Sequence, residues 1–280
     1  MALISADRLA GRIGDEGLRV VDVRWYLNRP GAGQAAYEAG HIPGAIFLDL
    51  DEDLSDVHGF GAPGRHPLPH PSDFRRRLEA VSIGSDHFVV AYDDNAGASA
   101  VRLWWMLDNL RHRGGVAVLD GGLDAWKAAQ QPLSADVPSY APARLELDRR
   151  WRRVIDRERL NERLGEVRLL DARAPERYRG EFEPIDPAAG HIPTAVNAPF
   201  TGNLGPDGRF LAPAELRRRF AGLGADDGAV VTYCGSGTNA CHNGLAMRLA
   251  GLDDPILYVG SFSDWSRSGM PIATGVEGDD

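Results

Sequence analysis

The feature that most constrains this chain is that it says the same thing twice. Arg19-Val20-Val21-Asp22-Val23-Arg24 reads as a buried strand ending in a charged pair, and Leu169-Leu170-Asp171-Ala172-Arg173 repeats it. Ala39-Gly40-His41-Ile42-Pro43 returns as Ala189-Gly190-His191-Ile192-Pro193. The apolar run Phe88–Tyr92 has its counterpart in Val230–Tyr233, and Leu119-Asp120-Gly121-Gly122 leading to Trp126 corresponds to Leu257-Tyr258-Val259-Gly260 leading to Trp265. The second set follows the first about 140 to 150 residues later, in the same order, as two copies of one structural unit would give. Short apolar strands alternating with helical segments, such as Ser99 to Leu110, specify an α/β class with a mainly parallel, helix-flanked sheet in each half.

We read residues 1–132 as the first domain and 154–280 as the second. Residues 133–153 form a linker, marked by Pro138, Pro142 and a run ending Arg149-Arg150-Trp151-Arg152-Arg153. Its arginines suit either a solvated face or a clamp on acidic domains. At 280 residues with 43% hydrophobic content the chain can fill two cores. A net charge of -9 argues against a nucleic-acid surface. No apolar run has the length of a membrane span, and the start, Met1 to Asp7, lacks a signal-peptide pattern. The expectation is a cytoplasmic protein without membrane or nucleic-acid partners.

Because the repeat supplies an internal comparison, features found in one copy only are the candidates for chemistry. Asp22/Asp171, Arg24/Arg173, His41/His191 and Trp126/Trp265 recur and are expected to be scaffold: each carboxylate can pair with its guanidinium, and each imidazole can hold its turn. Cys234 does not recur, and Asp93 stands in its place. Val230-Val231-Thr232-Tyr233 is followed by Cys234-Gly235-Ser236-Gly237-Thr238-Asn239 and then by a helically spaced segment from Cys241 to Leu249. Strand, glycine loop and helix start together form a cup in which the amides of Gly235 to Asn239 can face an anion. Such a setting favours thiolate over thiol and makes Cys234 a candidate nucleophile. A small buried cysteine closing a strand is the plainer alternative.

Arg177 is also unique to the second copy, where its counterpart is Asn28, and it can either face Cys234 to bind an anionic substrate or lie in solvent. Cys241, the only other cysteine, is assigned to helix packing. If the segment between them is mostly helical, the two Cα atoms lie about 10 Å apart, beyond the roughly 7 Å reach of a disulfide. No His/Cys spacing matches a zinc site, so neither metal nor cofactor is expected.

With these residues in view, nearly the whole chain resembles the tandem-domain rhodanese-like sulfurtransferases. The resemblance implies two rhodanese-like domains, the second catalytic through its cysteine and the first silent. It implies transfer of sulfur from a small anionic donor, 3-mercaptopyruvate or thiosulfate, to a persulfide on Cys234, and then to cyanide, a thiol or a reduced thioredoxin-like protein. Cys234-Gly235-Ser236-Gly237 is similar to the loop of the 3-mercaptopyruvate branch, which adds a Ser-His-Asp relay matched here by Ser236, His66 and Asp51. Gly235, Gly237, Thr238 and Asn239 would bind substrate through the loop, together with Arg177. That branch carries a second arginine in a Glu-Pro-Arg stretch where this chain has Glu183-Pro184-Ile185, and Arg179 is the candidate replacement.

Two rival functions follow from the same residues. A cysteine phosphatase of this fold needs Cys-x5-Arg, and Ala240 occupies the arginine position. A persulfide carrier or sulfur-sensing module would use Cys234 without rapid turnover.

Overall fold

The computed structural model describes residues 1–57 and 64–276. The chain divides into two compact units. The first contains Met1–Asp56, Leu68–Arg152 and Asp207–Arg209; the second contains Val57–Pro67, Arg153–Pro206 and Phe210–Asp280.

The first unit is built on strands β1 (Leu3–Ile4), β2 (Leu18–Asp22), β3 (Ala45–Phe47), β4 (Phe88–Tyr92) and β5 (Val116–Leu119), in the order β1-β5-β4-β2-β3. The second is built on β6 (Val154–Ile155), β7 (Arg168–Asp171), β8 (Ala195–Asn197), β9 (Val230–Tyr233) and β10 (Ile256–Tyr258), in the equivalent order β6-β10-β9-β7-β8. All the strand pairs are parallel. Parallel sheets are covered on both faces, which is why their strands read as continuous apolar runs and not as alternating ones. In β7, Leu169 packs with Val231, Tyr258, Phe262 and Trp265, while its neighbour Leu170 faces the other way into Phe220, Ala246 and Met247.

The repeated residues form the same scaffold in each unit. Arg24 grips Asp22 through Nε and Nη2 and donates to the carbonyl of Gly40 at 2.8 Å; Arg173 does the same to Asp171 and to Gly190 at 2.6 Å. His41 stacks on Tyr37 and His191 on Tyr178, each bonded through Nδ1 to that tyrosine's carbonyl at 2.8 Å. Trp126 and Trp265 each donate to a proline carbonyl six residues on, also at 2.8 Å.

The stretch before β6 lies against the first unit. The Tyr140 hydroxyl donates to Gly44, Trp151 packs on Phe74 and Trp105, and its indole N–H donates to Pro69. The arginines there divide between the two sequence expectations: Arg149 and Arg150 are exposed, whereas Arg153 pairs with Asp254 at 3.0 Å. No helix among the described residues is long and apolar enough to cross a membrane.

Candidate active site

In the second unit β9 lies between β10 and β7, so the loop that follows it emerges at the carboxyl end of the sheet's middle strand, the edge where open α/β sheets bind ligands. Cys234 is the first residue of that loop and is 3% exposed. Its amide donates to Ser261 Oγ at 3.2 Å, its carbonyl accepts from Phe262 N at 2.9 Å, and the Gly235 carbonyl accepts from Ser263 N at 2.9 Å. The helix Ser261–Trp265 thus fixes the start of the loop. The turn that follows needs Gly237, whose φ of +83° lies in the left-handed region. It brings the amides of Gly237 and Ser236 to Cys234 Sγ at 3.1 and 3.4 Å. Helix Asn239–Leu249 begins two residues earlier than its spacing predicted, with buried Thr238 at its N-cap. Cys241 is a free thiol, as is Cys234, and its Sγ donates to the Gly237 carbonyl at 3.3 Å. The second cysteine therefore pins the loop, in keeping with its assignment to packing.

The segment that supplies His66 also belongs to this unit. Gly64 has φ +85°, and a Cβ there would come 2.5 Å from the Gly260 carbonyl, so only glycine lets the two backbones approach. The next amide, of Arg65, donates to Ser263 Oγ at 3.0 Å. His66, 6% exposed, then places Nδ1 2.7 Å from Ser236 Oγ and 3.4 Å from Thr238 Oγ1. Two of the three expected relay residues are thereby brought together. Asp51 lies in the first unit, where its carboxylate accepts from the Trp25 indole N–H at 2.8 Å.

A cluster of guanidiniums and carboxylates completes the site. Arg177, on the short helix Pro175–Tyr178, holds Glu183 through Nε and Nη2 and reaches Asp186 at 3.1 Å. Arg65 takes the other Asp186 oxygen, and Arg267 stands 3.7 Å from that carboxylate. Arg173 also reaches Glu183, at 3.4 Å. Burial alone would raise the Glu183 carboxyl, but hydrogen bonds from Arg177 and from the amides of Asp186 and Ile185 outweigh it and hold the group below its ordinary 4.5. Arg179 is engaged elsewhere, in a two-bond pair with Glu181 at the surface. Arg65 was not among the residues expected here from the sequence.

The corresponding loop of the first unit is built differently. Asp93 Oδ1 accepts from the amides of Asn95 and Gly97 at 2.9 Å, and Oδ2 from those of Ser99 and Ala100 at 2.8 Å.

Comparison with known proteins places these features in context. The family model described as "Rhodanese-like domain" matches residues 5–129 and 156–268. A probable 3-mercaptopyruvate sulfurtransferase of Pseudomonas aeruginosa is 48% identical over 278 residues, covering 98% of each chain. A putative thiosulfate sulfurtransferase of Mycobacterium tuberculosis, SseB, is 39% identical over 279 residues, covering 94% of this chain and 93% of its own. Among solved structures, the 3-mercaptopyruvate sulfurtransferase of Leishmania major superposes with a TM-score of 0.82 at 30% identity, over 95% of this chain and 74% of that one.

Proposed function

We propose, from the premise that this chain belongs to the rhodanese-like family, that it is a sulfurtransferase in which the second unit carries the chemistry and the first is catalytically silent. The observation that carries this reading is the Cys234 sulfur held by the amides of Ser236 and Gly237, with the guanidiniums of Arg65 and Arg177 beside the next residue, Gly235. An anionic donor, 3-mercaptopyruvate or thiosulfate, is drawn to the arginines and presents its sulfur to the Cys234 thiolate. A new S–S bond forms to Cys234 while the donor's bond to that sulfur breaks, and the electron pair leaves on pyruvate enolate or on sulfite. The loop amides stabilise negative charge on the persulfide. Cyanide, a small thiol or a reduced thioredoxin-like protein then takes the outer sulfur and returns Cys234 as thiolate.

The two donors differ in one respect: the enolate must gain a proton to become pyruvate, whereas sulfite need not. His66 and Ser236, 2.7 Å apart, are a proton-exchanging pair next to the nucleophile. This pair favours 3-mercaptopyruvate. Steady-state assays with both donors and cyanide as acceptor test the reading. Ser236→Ala should lower kcat about 100-fold with 3-mercaptopyruvate and far less with thiosulfate. Equal loss with both donors would remove the pair from proton transfer. The carrier alternative is disfavoured by full-length relatives that bear enzyme names, and it would stop after about one equivalent of sulfur per chain.

A further inference from the structure

Two arginine nitrogens beside Gly235, the residue after the nucleophile, are left over once the cluster's ion pairs are made. Arg65 uses Nη1 on Asp186, and Arg177 uses Nε and Nη2 on Glu183 and Asp186. Among the described residues, Arg65 Nη2 and Arg177 Nη1 donate to no protein acceptor. Both flank Gly235: a Cβ placed there would lie 2.8 Å from Arg65 Nη2 and 3.5 Å from Arg177 Nη1. Gly235 directly follows Cys234, and its lack of a side chain leaves these two nitrogens uncrowded on that side. Asp186, whose carboxylate is fully buried, takes one guanidinium on each oxygen and so sets their spacing. Arg65 and Arg177 themselves remain 23% and 16% exposed, so solvent reaches both side chains. The cluster of Arg65, Arg173, Arg177 and Arg267 against Asp171, Glu183 and Asp186 retains one positive charge in excess.

The geometry points to Arg65 as the second arm of a substrate-anion fork with Arg177, gripping the carboxylate of 3-mercaptopyruvate or the sulfonate end of thiosulfate between Nη2 of one residue and Nη1 of the other. This rests on the sulfurtransferase reading for the identity of the anion. It supplies the guanidinium that Ile185 does not, from a segment 121 residues away from Asp186. Asp186 is a positioning residue: it touches no substrate but holds one arm on each carboxylate oxygen. Gly235 determines the room between them.

Three variants in the full chain test this. Arg65→Met should raise KM for both donors about 10- to 100-fold, the loss of a charge-assisted contact, with kcat within about threefold. Arg65→Lys keeps the charge without the fork and should recover part of the loss. Gly235→Ala keeps the Arg65 side chain but puts a methyl 2.8 Å from its Nη2, so the guanidinium must shift away, while the φ at this position does not require glycine. It should raise KM in the same way. A parallel measurement needs no turnover: calorimetric binding of 3-mercaptopyruvate to Cys234→Ser, with and without Arg65→Met, should show Kd weaker by about the same factor. Unchanged Kd and KM in the Arg65 variants would overturn the assignment. If binding depends on Arg65 while the wild-type chain transfers no sulfur, the fork stands and the sulfurtransferase reading falls.

Discussion

After Tyr92 and after Tyr233 the chain leaves corresponding strands into corresponding loops, and the amides of those loops serve different acceptors. In the first unit a carboxylate, Asp93, takes four short amide bonds of 2.8 to 2.9 Å and is entirely enclosed. The cup holds an anion that is part of the chain and cannot leave. In the second, Cys234 Sγ takes two longer contacts, at 3.1 and 3.4 Å, and a sulfur atom can accept and release another sulfur. The surroundings differ accordingly. Arg177 sits on a helical turn facing the loop, whereas its counterpart Asn28 occupies a left-handed position with φ +58°. The same backbone device thus serves stability in one place and, in our reading, catalysis in the other, with a single side chain at the strand end deciding which.

The sharpest way to break this comparison is Cys234→Ser. Serine keeps the size and an acceptor for the two amides, so the fold should hold while sulfur transfer falls on the order of 10³-fold or more, measured as thiocyanate formed from cyanide. Full activity in this variant would make the two loops equivalent after all. Asp93→Asn probes the other side. Its amide group would turn N–H toward two of the four loop donors, and unpaired buried donors cost about 1–3 kcal/mol each. Urea unfolding should show a loss of about 2 kcal/mol with sulfur transfer unchanged; unaltered stability would mean that the first cup needs no charge.

The smallest effect concerns acid. Glu183 is held below its ordinary value of 4.5 in the folded unit, so it contributes stability that is complete above about pH 4.5 and lost as pH falls through its folded value. Glu183→Gln should cost about 1 kcal/mol at neutral pH and flatten the decline in stability between about pH 5 and 3. An unaltered acid slope would place the decline in other carboxylates.

How much could be read from residues alone depended on sequence distance. Strands β4 and β9 matched their apolar runs residue for residue, and the Asp-Arg and His scaffold was legible because each contact is local and appears twice. The edge strands β1 and β6 were not foreseen, since two residues carry no periodicity. The Cys234 loop was recognisable from its glycines. Its partners were harder to find: Arg65 meets Asp186 across 121 residues, and Ser236 meets His66 across 170. His66 was reached through the family resemblance. Arg65 was not, because no local pattern distinguishes a guanidinium in a fork from one in solvent. Arg179 illustrates the converse, a nearby arginine whose neighbour Glu181 claims it.

In this reading sulfur is carried on Cys234 and on no other atom of the chain. Treating the wild-type protein with 3-mercaptopyruvate in the absence of acceptor, then determining the intact and peptide masses, tests it directly. The expected result is a gain of one sulfur atom on the peptide containing Cys234, assigned to that residue by fragmentation and removed by cyanide. No gain, or a cyanide-labile sulfur located on Cys241, would contradict it.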